Sequence, residues 1–554
     1  MRLNKMTLIL AGAAIALAPS DLTADDASDK IAHWCRNEGG SGDDDWTNSS
    51  NWSGGIIPGR YGEGGASGAV GWTAVFDRGN RWLARNTNGA TKPYSISNVI
   101  FKAGTSVQNL GQGSYDELPL EPGGMLQLAS DRTANLTVDS AIGLRDMDTA
   151  QPTIHIRNDS RSANLYLRNG FKTFTRASGN TAFCYPRVQF EGCGTIRLDK
   201  NFATPNNFRS DAVMAMDEGG LLRINGNVSN LRTLHVPRGS VKQRVEILSE
   251  KKLLSGSDPT APQINAFSDI EIFGDGTLSF NSRGGVDCGF ALHEGATIEV
   301  ACVLEQRNTE SDASFLITGS GTVRITGRNT IQQDIDIAKG TVEARTIGMA
   351  GEDGDIGLGR KIIIRNGGTL RYTGSGETTD RAIELGYYTN VLEQAGSGPV
   401  TFTGCVTSLN WNAMIVLSND TDFAATYAGP IVKGVNDPIV RKRGTGEWIL
   451  SGANTTEGMY YLEGGTLTVA SASSLPRLTV AGGGVLRVAD GVTVSLNLTY
   501  ASGSLDVRLG AGAKFIARNW SGQAPDWVRL NGHMARFRSD GELVPKLGCV
   551  VVFQ

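Results

Sequence analysis

Three groups of side chains in this sequence have types and spacings that could do chemistry. The stretch GEDGDIGLG, residues 351–359, brings Glu352, Asp353 and Asp355 close together. Oxygen-rich Gly/Asp loops of this kind can hold Ca²⁺. The stretch lacks the G-G-x-G-x-D nonapeptide and occurs once, so a solvated loop is the competing reading. Trp46, Trp52 and Trp72 could form a platform on which sugar rings stack, or they could pack together and plug one end of the fold. The five histidines (33, 155, 235, 293 and 533) are far apart, with His235 and His293 on outward strand positions. There is no H-E-x-x-H, G-x-S-x-G, P-loop or C-x-x-C, so no catalytic residue is assigned and no cofactor is expected. A lyase or hydrolase without such motifs would need clustered carboxylates with a Lys or Arg on one exterior face. The outward acids that can be placed, Glu299, Glu343 and Asp506, sit singly or opposite an arginine.

The elements that position these residues follow from a period of nineteen. From Gly446 the chain reads GEWIL, then GTLTV at 465, GVLRV at 484 and GSLDV at 503. The second and fourth residues after each glycine are all apolar: Trp448 and Leu450, Leu467 and Val469, Leu486 and Val488, Leu505 and Val507. The residues between them are mostly polar, and alternation of period two marks a half-buried strand. GTVRI at 321 and GTVEA at 340 repeat the step, as do GLLRI at 220 and GSVKQ at 239. GTLSF at 276 and GATIEV at 295 repeat it with a slip of one residue. Apolar pairs also sit five and three positions ahead of the glycines, as Ile335 and Ile337 or Tyr460 and Leu462. The unit is strand, glycine corner, strand and return.

Two architectures use such a unit. In a solenoid, residue i stacks on i+19 in a parallel ladder; in a hairpin array, the two strands of one unit pair antiparallel. Arg324 precedes Glu343 by nineteen residues and Arg487 precedes Asp506 by nineteen. Opposite charges at that spacing are what stacked outward neighbours call for. The reading is an all-β fold, a single-stranded parallel β-helix with coils of about 19–26 residues and small end caps.

Composition agrees with a repeat protein. The 554 residues include 71 glycines and carry a net charge of −4. There is no basic excess to neutralise phosphates, so nucleic acid is not an expected partner. The first 24 residues have the layout of a secretory signal peptide, with Arg2 and Lys5 before an apolar run and a cleavage site at Leu22-Thr-Ala24. No other run is long enough for a transmembrane helix. Of seven cysteines, the nearest pairs an exported chain could oxidise are Cys184 with Cys193 and Cys288 with Cys302. Otherwise the thiols fill the core as small apolar groups.

The stretch GTGEWILSGANTTEGMYYLEGGTL resembles the autotransporter-associated β-strand repeat, G-x-G-x-x-x-L-S-G-x-N-T-Y-T-G followed by G-G-T-L, with Thr456 and Glu457 in place of its Tyr-Thr. GSGTVRITGRNT keeps Gly321, Gly327, Asn329 and Thr330 at the offsets of Gly446, Gly452, Asn454 and Thr455, without the later T-G. DWTNSSNWSGGIIPG, followed by TAVF, resembles the module that often precedes such repeats. The resemblance implies a right-handed parallel β-helix of the passenger type, secreted or displayed at a cell surface. The residues after the last coil are too few for a translocator barrel of at least eight strands of ~10 residues, so a self-transporting chain is not expected.

Together these readings give a signal peptide at 1–24, a Trp-rich cap at 25–90, a β-helix at 91–515 and a C-terminal β-meander cap at 516–554. The expected function is an exported structural or adhesive rod, extracellular, at the cell surface or periplasmic, whose partners are glycans or cell-surface components. The alternative is a carbohydrate-binding or polysaccharide-degrading β-helix. Exposed aromatics on one face would favour binding, and a carboxylate-lined groove would favour degradation.

Overall fold

The computed structural model describes residues 30–34, 51–53, 58, 72–77, 96–103, 105, 109–110, 117–144, 153–169, 171–173, 187–199, 210–228, 231–239, 241–253, 263–281, 288–307, 314–472, 475–521 and 528–546. The expected signal peptide lies outside them. Parallel strands stack into a β-solenoid with three ladders of strands around one apolar interior. Among the described residues the first ladder has seventeen strands, from Ile31–His33 to Val406–Ser408. The second has eighteen, from Asn109–Leu110 to Lys514–Ser521, each parallel to its neighbours. The third is formed early by Lys252–Leu253, Thr277–Asn281 and Val303–Arg307, and from Glu377–Thr379 onward by a ten-stranded sheet.

Alternation builds the interior. In Thr466–Val469 and Gly484–Val488, Leu467 and Leu486 face inward as register partners, with Val469 over Val488. No coil could bury these side chains alone. Larger rings stack along the same axis, Phe402 on Tyr427 at 6.0 Å and Phe402 near Trp448 at 6.2 Å. The buried polar ends of the last two are paired, Tyr427 Oη donating to the Gly404 carbonyl and Trp448 Nε1 to that of Ser418. The hairpin alternative fails, because Arg477–Ala481 pairs parallel with Tyr460–Leu462 and Thr493–Ser502, not with Gly484–Val488.

The nineteen-residue step is the coil register where Trp448 lies beside Leu467 and Leu467 beside Leu486. Gly446 and Gly465 are the same corner on consecutive coils. Gly465 has φ +64°, and a Cβ there would lie 2.3 Å from the Gly444 carbonyl oxygen. Upstream, Val323 over Val342 and Arg324 over Glu343 confirm the step from 321 to 340. These two glycines nevertheless mark a different corner. Gly321 and Gly340 lead from the first ladder into the second, whereas Gly446 and Gly465 lead from the second into the third. One sequence rule serves both turns because both demand tight passage of backbone past backbone.

Several expected registers are corrected. Leu222 pairs with Val245, a step of 23, so Gly220 and Gly239 are not stacked. Thr277–Asn281 pairs with Val303–Arg307 in the third ladder, while Thr297–Val300 lies in the second, so the step from 276 to 295 joins two faces of the tube. Arg487 pairs with Arg508 and not with Asp506. The preceding second-ladder strands already step by twenty, as Leu478 to Leu498, and a register shift after Val480 puts Ala481 opposite Ser502. The third ladder inherits a step of 21, Leu486 on Val507. A shift of two preserves parity, which is why Leu505 and Val507 remain buried despite the slip. Arg487 instead reaches Glu447 at 3.0 Å, and Asp506 pairs with Arg508 at 3.1 Å.

At the C-terminal end Val528–Leu530 continues the third ladder on Leu505–Leu509. The chain then reverses through Asn531 and Gly532, both at positive φ, into His533–Phe537 and antiparallel Leu543–Pro545. Among the described residues no helix is long and apolar enough to cross a membrane. Cys302 is a free buried thiol, so the Cys288–Cys302 bond is not made, and Cys184 lies outside the described residues.

Candidate functional site: an exposed aromatic corner

The tryptophans singled out in the sequence do not come together on a surface. Trp52 and Trp72 are buried, and Trp46 lies outside the described residues. Trp52 packs edge-on against Trp34 at 5.0 Å and against Phe76 at 5.6 Å, with Phe76 stacked on Phe101. In this arrangement neither Trp52 nor Trp72 has a free face for a sugar.

The acidic loop is likewise dispersed. Glu352 is exposed, Asp353 is exposed and pairs with Arg328 at 2.8 Å, and Asp355 is buried. Asp355 Oδ2 accepts the Arg345 N–H at 2.7 Å and the Thr346 N–H at 3.2 Å, while burial still pushes its carboxyl above the usual range. Inside the loop lies the guanidinium of Arg381, buried, donating to the carbonyls of Gly348, Glu352, Gly357 and Gly359. The loop is thus folded around an arginine of the next coil. Among the described residues no three His, Cys, Asp or Glu side chains converge as a metal site.

The outer face of the second ladder carries a run of charges. Arg244, Glu271, Glu299, Arg324, Glu343, Arg371 and Glu393 occupy successive coils. Arg324 meets Glu343 at 2.5 Å, and Arg371 bridges Glu343 at 2.9 Å and Glu393 at 2.8 Å. Burial would raise the Glu343 carboxyl, but the hydrogen bonds from Arg324 and Arg371 outweigh it and hold the group below the usual range. These carboxylates are committed to partners on neighbouring coils.

From Thr389 the edge of this face nearest the preceding turn carries Thr389, Met414 and Ile439 in register, while farther along the strands Arg441 lies opposite Tyr461 and both Arg441 and Arg443 pair with Glu463. The turn leading into it, from the first ladder to the second, exposes Tyr387 and Tyr388 on one coil and Leu409 and Trp411 on the next. Val435 and Met459 follow on the two coils after that. Tyr388 is 71% exposed, Trp411 65% and Tyr387 48%. Large rings exposed on consecutive coils are candidates for an interaction surface.

The backbone of this corner is informative. Asn366, Tyr388 and Asn412 stand in the same turn on three consecutive coils, with φ of 56°, 67° and 62°. Asparagine accepts the left-handed region readily, whereas a bulky aromatic there costs roughly 1–3 kcal/mol. The Asn366 N–H donates to the Tyr387 carbonyl and the Met414 N–H to that of Tyr388, so the turns are locked to each other. None of the motifs in the sequence points to this corner, because its residues come from turns far apart along the chain. The usable signal was Tyr387-Tyr388 and Trp411 within turns where polar or glycine residues are the norm.

A segment of 123 residues is 32% identical to "Adhesin BmaC autotransporter" of Brucella suis biovar 1 (strain 1330), covering 21% of this chain and 4% of the adhesin. In sequence and in build the chain is like an autotransporter passenger. It spans only a small fraction of the adhesin's length. No family model matches the chain, and no solved structure matches it. The resemblance at 444–469 and this similarity to an autotransporter adhesin point the same way. Both asparagines are buried and accept a backbone N–H, but in different ways: Asn329 Oδ1 accepts that of Ile331 in its own turn, and Asn454 Oδ1 that of Ile431 on the preceding coil.

Proposed function

We propose that this chain is an exported, surface-displayed adhesive rod that makes contact through its exterior. The observation that carries the reading is the exposed aromatic corner, on a rod whose outer charges upstream of it are paired between coils. The similarity to an adhesin supports it. The β-helix of residues 91–515 forms the rod, and residues 25–90 and 516–554 close its two ends. Edges of stacked strands need such covers.

Beads coated with the purified chain are expected to adhere to cell layers, extracellular matrix or polysaccharide films more strongly than albumin-coated beads. Removing the exposed rings with Trp411→Ala and Tyr388→Asn together should abolish most of that excess. Coated beads that adhere no better than the albumin control to every one of these surfaces would end the adhesive reading.

A further inference from the structure

We infer that the aromatic corner binds a neutral glycan chain laid along the rod axis, with sugar rings stacked on Tyr388 and Trp411. The inference deepens the adhesive reading by naming the chemical class of the partner.

Geometry is the first ground. Tyr388 and Trp411 belong to turns of consecutive coils, and coils of a parallel stack lie ~4.8 Å apart. Exposed rings on two coils so spaced suit neighbouring units of a linear chain of sugar rings. Tyr387 and Tyr388 stand 6.2 Å apart at 48°, so the corner offers faces of more than one tilt. The C–H faces of a sugar pack on such rings while its hydroxyls stay available to polar groups.

Those polar groups are present. The side-chain amides of Asn366, Asn410 and Asn412 stand in the same series of turns as the rings and make no hydrogen bond with protein among the described residues. An amide both donates and accepts, as a hydroxyl-rich ligand requires. The charges nearby are already matched, Arg365 with Asp336 at 2.8 Å and Lys361 with Glu384 at 2.7 Å, which favours a neutral ligand over an acidic one.

Backbone conformation is the second ground. Tyrosine occupies the left-handed position of Tyr388, where the turns before and after it have asparagine. A residue kept against its own backbone preference points to function at that side chain.

The experiment titrates the full purified chain with neutral hexasaccharides of β-glucan, chitin, xylan and mannan type, following tryptophan fluorescence and heat. Saturable binding of at least one is expected. Trp411→Ala and Tyr388→Asn should each weaken it by roughly ten-fold or more. The unfolding midpoint should be unchanged in Trp411→Ala, and unchanged or higher in Tyr388→Asn, which relieves the backbone. Binding that survives both substitutions overturns the inference. So does the absence of binding up to about 1 mM while bead adhesion persists and is lost in the double variant, since the partner is then not a neutral glycan. Glycan binding at the corner without bead adhesion upholds the inference and removes the adhesive reading alone.

Discussion

Leu486→Asp is expected to destabilise the rod by more than ~3 kcal/mol, because it buries a carboxylate with no partner among apolar side chains. Leu486 is fully buried, with Leu467 on the coil before and Val507 on the coil after. Every neighbour along that column is hydrocarbon, so the carboxylate can neither ionise cheaply nor find a donor. The matched change on the outer face of the next coil is Arg508→Gln, which loses one exposed ion pair to Asp506. Exposed pairs contribute about 0–1 kcal/mol, so this variant should unfold close to the parent. Denaturant midpoints of the two variants decide the matter, and equal losses would mean the strand phase is wrong. Thr468, which alternation alone would offer as the silent control, is unsuitable. It is buried beneath Glu447, whose carboxylate accepts its hydroxyl, and Arg487 covers the same carboxylate.

The second large effect is a dependence on pH carried by Lys442. Its side chain points inward, buried, with Nζ donating to the carbonyls of Arg443 at 2.6 Å, Gly444 at 3.0 Å and Gly464 at 3.3 Å. Burial lowers its pKa from 10.5 to about 8. Below that pH both folded and unfolded chains hold the proton, and the folded state bears the whole cost of burying the charge. Between about 8 and 10.5 the unfolded chain binds more protons than the folded one, so stability rises with pH. The full rise for this group is about 3 kcal/mol. The Cys302 thiol, pushed by burial from 9.0 up to about 11, pulls the other way above pH 9. Comparison with Lys442→Met isolates the lysine. The unfolding midpoint of the parent should climb between pH 7.5 and 9 relative to that of the variant, and parallel curves would show that Lys442 is not buried as a charge.

Much of the fold was legible in the sequence for a specific physical reason. Parallel stacking buries one side chain in two, and tight corners admit few residues besides glycine, so both leave periodic marks. Arg324 over Glu343 was readable from spacing because that coil has neither bulge nor insertion. Arg487 and Asp506 misled because a 20-residue step followed by a one-residue shift moves the register by two in all, which leaves the apolar alternation intact. The inward Lys442 and Arg381 break the alternation for local reasons, namely backbone carbonyls in corners and loops that need donors. The candidate site was the least legible part. Trp52 and Trp72 could be read from sequence as a sugar platform or as packed side chains, and they pack with other aromatic and apolar side chains near the first coil. Tyr387, Tyr388 and Trp411 become neighbours only when successive turns are superposed.

Register is the point on which everything else depends, and a crosslink measures it directly. In a background without native cysteines, Arg487→Cys is combined in turn with Arg508→Cys, Asp506→Cys and Thr479→Cys. Parallel stacking with a 21-residue step places the Cα atoms of 487 and 508 as direct partners, ~4.8 Å apart and within the ~4.4–6.8 Å range of a disulfide. Position 506 is opposite Val485, two residues off, and falls outside that range. Mild oxidation should therefore close 487–508 rapidly and leave the other two pairs reduced, with the fold retained. Preferential closure of 487–506 would contradict the register, and closure of 487–479 would contradict the parallel stack itself.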